Sequence, residues 1–80
     1  MPTVLIIGGW RVVIYPNDHR PAHVHVIGGG GEAVFNLAGE LELRENHGFD
    51  SKSLRRIWAE LQNNQAHLIT KWEDIHGTNR

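Results

Sequence analysis

Three imidazoles, one carboxylate and one guanidinium fall within the eight residues Asp18-His19-Arg20-Pro21-Ala22-His23-Val24-His25. Side chains of these types suit two kinds of chemistry. Histidines at i and i+2, with a third just upstream, resemble a three-histidine zinc site open at its fourth position, so His19, His23 and His25 are candidate ligands for a divalent metal such as zinc. Two ring nitrogens more than ~5 Å apart cannot share such an ion, because each bond to zinc is only ~2.1 Å long. The second chemistry needs no metal. One histidine takes a proton, Asp18 or a sheet glutamate orients it, and Arg20 holds an anionic substrate such as a phosphate. His19, His23, His25 and Asp18 are then the catalytic candidates of a nuclease or other hydrolase. Plainer readings stand beside both: histidines that hydrogen-bond the turn, and an Arg20 paired with a neighbouring carboxylate. Tyr15 and Trp10 are aromatic enough to stack on a ligand.

These residues must be carried by strands, because the first half of the chain alternates or runs apolar in short bursts between glycine, asparagine and proline. The pattern predicts Thr3 to Ile7, Trp10 to Tyr15, Ala22 to Ile27, Glu32 to Leu37 and Glu40 to Arg44 as four or five strands. Pro16-Asn17-Asp18 reads as a turn and Gly28 to Gly31 as a flexible loop. On a strand, His23 and His25 share one face while Val24 and Val26 share the other. The valines suit the core, so the two histidines should stand on the open face with Val13, Tyr15, Val34, Asn36, Glu40, Glu42 and Arg44.

Beyond a polar loop at Glu45 to Phe49 the period changes. Leu54, Ile57, Trp58, Leu61, Leu68, Ile69, Trp72 and Ile75 form one stripe, interrupted by Gln65. A single helix of about 24 residues is predicted over Ser51 to Asp74, with Asp50 as N-cap, Gly77 as its stop and Asn63-Asn64 as its weak point. The fold class that follows is α+β: a four- or five-stranded, mainly antiparallel sheet with one long C-terminal helix packed on one face. A helix end left overhanging near Trp72 would favour a homodimer. Lys52, Arg55 and Arg56 crowd the first helical turn, where cations are disfavoured, and read as either a solvated face or a surface for an acidic partner. His47, His67 and His76 receive no role.

Composition narrows the classes further. Eighty residues make one domain over 1–80, and the absence of cysteine excludes disulfides and thiolate metal sites. No run approaches the ~20 apolar residues of a membrane span, and the first residues lack a signal-peptide pattern, so the chain reads as cytoplasmic. Eight Lys and Arg against nine Asp and Glu provide no global positive field for nucleic acid.

Met1-Pro2-Thr3-Val4, the segment Asp18-His19-Arg20-Pro21-Ala22-His23-Val24-His25-Val26, Ala33, and the helical positions Leu61, Asn64, Leu68 and Trp72 together resemble the domain of unknown function 4160 family. Ala22, Val24 and the Glu45 to Phe49 loop depart from that family's usual pattern. The resemblance implies a small prokaryotic protein with a small protein partner, as in a toxin-antitoxin-like pair. It implies no catalytic residue; His19, Pro21, His23 and His25 are the motif positions that carry over. The expectation that leads is thus a component of such a pair acting through the histidine face, with a metal-binding domain or an acid-base hydrolase as alternatives.

Overall fold

The computed structural model describes residues 3–77. Met1 and Pro2, part of the resemblance above, lie outside the described residues. Five strands form one sheet in the order β1-β2-β3-β4-β5: β1 (Thr3–Ile7), β2 (Trp10–Val13), β3 (His23–Gly28), β4 (Gly31–Asn36) and β5 (Glu42–His47). Every neighbouring pair is antiparallel. Two helices follow, α1 (Ser51–Asn63) and α2 (Gln65–His76).

The α+β class and the antiparallel sheet agree with the sequence pattern, whereas the single long helix does not. Asn64 divides it. Its side-chain amide donates to the Glu60 carbonyl at 2.8 Å, and its own backbone leaves the helical region at φ −114 and ψ 13. Asparagine offers the backbone this local alternative, which is why it is a poor helix-interior residue. Asp50 does cap α1, accepting from the Ser53 N–H at 2.8 Å, and that backbone hydrogen bond holds its carboxyl below the usual carboxylate range. Gly77, at φ 82, ends α2 by donating its N–H to the Glu73 carbonyl.

The last strand is also displaced from its expected position. Glu40 lies outside any strand, and pairing runs instead from Glu42 to His47, into residues expected to be loop. The shift comes with a bulge: Val34 faces Glu45 and Phe35 faces Leu43, which leaves Arg44 unpaired between them. Alternation alone cannot report an extra residue in a strand.

Val12, Ile14, Val24, Val26, Ala33 and Phe35 meet Ile57, Leu61, Leu68 and Trp72 in one core between sheet and helices. Trp72 is fully buried, so α2 has no apolar overhang there. The β3–β4 hairpin that carries the histidines closes on Gly29 and Gly30, both with positive φ, as a two-residue turn matched to sheet twist requires. What read as a flexible loop is a tight turn that fixes register, pairing Gly28 with Gly31, Ile27 with Glu32 and His25 with Val34.

Candidate metal centre

His23 and His25 alternate along β3 with Val24 and Val26, which fill the core, so the two imidazoles share the other side of the strand. Neither stands open to solvent as expected. His23 is the first residue of β3, and at this end of the sheet its ring packs against Trp72 of α2, with centroids 5.2 Å apart. His25 lies between Val13 and Val34 in the cross-strand row, with the Tyr15 ring edge-on at 4.8 Å. The two imidazoles are themselves edge-to-face at 5.3 Å.

The turn after β2 delivers the third group. Asp18 donates its N–H to the Tyr15 carbonyl at 3.1 Å, while Asp18 Oδ2 accepts from the Tyr15 N–H at 3.2 Å. This reciprocal pair closes the turn and aims the carboxylate inward. Asp18 Oδ2 lies 3.4 Å from His23 Nε2 and 3.3 Å from His25 Nε2. The three donor atoms all fall within 4.8 Å of one another, so the widest pair needs to close to about 4.2 Å or less for one ion to sit ~2.1 Å from each. Edges of a tetrahedron with ~2.1 Å bonds are about 3.4 Å long, so two sides of the triangle already fit.

Proton inventory sharpens the picture. A neutral imidazole carries one N–H, and a carbonyl only accepts. His23 Nδ1 lies 2.9 Å from the Pro21 carbonyl, so the His23 proton belongs on Nδ1 and a lone pair on Nε2 faces the Asp18 carboxylate. His25 Nδ1 lies 3.5 Å from Glu32 Oε2, but neither this contact nor the one to Asp18 has hydrogen-bond geometry, and both His25 nitrogens are buried without a partner. The His23 Nε2 lone pair and the Asp18 carboxylate thus converge beside a His25 Nε2 that makes no hydrogen bond. A cation seated between them would engage all three groups, with the Pro21 carbonyl and Glu32 behind the two rings.

The remaining sequence candidates fall elsewhere. His19 is exposed and lies outside the converging set. Arg20 turns towards α2, bonding the Gly77 carbonyl at 3.0 Å and lying 3.5 Å from Glu73, which matches the carboxylate pairing weighed for it. Tyr15 borders the site as ring and backbone. Trp10 instead packs edge-on against Phe49, with the Arg56 guanidinium 5.8 Å above its ring.

Two neighbours escaped the sequence reading. Glu32 could have been found by counting a two-residue turn across the four glycines, which puts it diagonal to His25. His76 had no local signal; it stacks on Trp72 at 3.8 Å, the same tryptophan that His23 meets.

A family model described as a domain of unknown function (DUF4160) matches residues 9–73, most of the chain. The chain belongs to the DUF4160 family. The matched span holds the Asp18 turn, the hairpin with both histidines and Glu32, and α2 as far as Glu73, so the whole site lies within the DUF4160 domain. No curated protein and no solved structure shows a significant match.

Proposed function

We propose that this protein binds one divalent transition-metal ion through Asp18, His23 and His25, leaving part of the coordination sphere open. The observation that carries the reading is the partly buried His25 ring, whose two nitrogens are shielded from solvent and lack hydrogen-bond partners while Nε2 lies 3.3 Å from Asp18. A buried polar atom left unsatisfied costs about 1–3 kcal/mol, and an ion bound there removes that cost at Nε2. Two nitrogens and one oxygen favour zinc, cobalt, nickel or iron over the all-oxygen preferences of magnesium and calcium. Three protein donors with an open position are the arrangement of catalytic rather than structural sites.

Equilibrium dialysis of untagged, chelator-stripped protein against Zn2+ or Co2+ tests the reading. One ion per chain is expected, with Asp18→Asn and His25→Ala losing it and His19→Ala keeping it. No retained metal ends the proposal. Loss in His19→Ala with retention in Asp18→Asn replaces this donor set by three imidazoles. The metal-free acid-base alternative draws on the same Asp18–His25 pair and predicts chemistry that survives chelation.

Membership of a toxin-antitoxin-like pair, which the family resemblance suggests, is a further proposal about the setting of this site. Exposed Ile6 on β1 and the apolar dish formed by Leu54 and Trp58 on α1 support a protein partner. Inducing the chain alone in a bacterial host, beside its His25→Ala form, tests the toxin role; unaffected growth in both removes it.

A further inference from the structure

We infer that Glu32 is the positioning residue of this centre: its carboxylate holds His25 as the Nδ1–H tautomer and so turns the Nε2 lone pair towards the metal. The inference rests on the metal reading above. It begins from a difference between the two rings. His23 is oriented from behind by main chain, the Pro21 carbonyl at 2.9 Å, which no substitution at that carbonyl can remove. His25 has no such backbone partner. The group placed behind its Nδ1 is Glu32 Oε2 at 3.5 Å, and Nδ1 is otherwise unsatisfied.

Glu32 reaches that position through the hairpin. The Gly29-Gly30 turn sets Ile27 opposite Glu32, which makes Glu32 the diagonal cross-strand neighbour of His25 on the same face. A shift of one residue in register would send the carboxylate to the core face. The glycine turn therefore serves the metal site at a distance, by fixing which side chain stands behind the ring. A contact at 3.5 Å is too long for a good hydrogen bond, and we expect it to shorten when an ion draws on Nε2 and makes Nδ1–H a stronger donor. Such outer carboxylates also raise the electron density of the ligating imidazole.

The test is a Co2+ titration of chelator-stripped protein, read by dissociation constant and visible absorption spectrum. Glu32→Ala is expected to weaken binding ~10–100-fold while still taking up one ion, with an altered spectrum, and Glu32→Gln to fall between it and the parent because an amide oxygen still accepts. Glu45→Ala removes an equal charge from the same face, two strands from His25, and is expected to change affinity by no more than about twofold in ordinary salt. Glu32 is half-exposed, so the metal-free melting temperature should not move, which separates lost orientation from lost folding. Unchanged affinity in Glu32→Ala overturns the inference, as does an equal loss in Glu45→Ala. If the parent protein takes up no Co2+, the metal site itself fails and this inference with it.

Discussion

The His23 ring is held through Nδ1 by the Pro21 carbonyl, whereas both nitrogens of His25 are buried without a hydrogen-bond partner. This asymmetry makes a prediction about stability in the absence of metal. Exchanging His23 for leucine breaks a good hydrogen bond and strands a carbonyl, at a cost of about 1–3 kcal/mol. Exchanging His25 for leucine removes two unsatisfied polar atoms from a site walled by Val13 and Val34, so it should cost less than about 1 kcal/mol or even stabilise. Urea unfolding in chelator measures both; if His25→Leu is the more damaging, His25 is a packing residue and its orphaned nitrogens carry no functional meaning. At this scale the sequence was partly legible. The two-residue period put His23 and His25 on one face without coordinates. That Asp18 rather than His19 converges with them was not legible, because it depends on the reciprocal Tyr15–Asp18 hydrogen bonds that fold the carboxylate inward.

Gln65 looked from its position in the apolar stripe like a flaw in a long helix, and its actual role belongs to the level of elements. As the first residue of α2, it donates from Nε2 to the carbonyls of Leu37 and Gly39, each at 2.8 Å. It thereby ties the start of α2 to the β4–β5 connection, and α2 in turn brings Trp72 beneath His23. Gln65→Met, similar in length and better suited to an apolar stripe, should therefore destabilise the fold by about 1–2 kcal/mol, since the half-buried Leu37 carbonyl loses its donor. A urea midpoint equal to or above the parent's would mean that the stripe, not the tether, governs this position. The first four strands and the N-cap were readable because period and capping chemistry are local signals. The Arg44 bulge was not, because the alternation runs on through it and cross-strand pairing decides where the extra residue falls. The break at Asn64 was legible only as a weak point at Asn63-Asn64 and an interruption at Gln65; that it divides the helix depends on tertiary contacts such as the Gln65 tether.

Over the molecule as a whole, the candidate site sits where three parts of the fold meet. Asp18 comes from the turn after β2, His23 and His25 come from β3, and His23 rests on Trp72 of α2. Between Asp18 and His23 in sequence, Arg20 reaches α2 at Glu73 and the Gly77 carbonyl. An ion held by this arrangement should bind the folded chain far better than the unfolded one, and preferential binding to the folded state raises stability by mass action. Free Zn2+ or Co2+ at 100 times its dissociation constant adds about 2.7 kcal/mol, which for a domain of this size is a rise of roughly 10–20 °C in melting temperature. Asp18→Asn should largely abolish the rise while changing the metal-free melt much less, because it removes a ligand and keeps an amide oxygen that can accept from Tyr15. The competing possibility is a chelate made by His23 and His25 alone, close in sequence and able to capture metal from any extended chain. That chelate binds folded and unfolded protein alike, so it would retain metal in dialysis without raising the melting temperature. Retention with no thermal shift would thus assign the binding to local sequence, whereas a shift that depends on Asp18 requires the folded turn, the hairpin register and the helix behind them to act together.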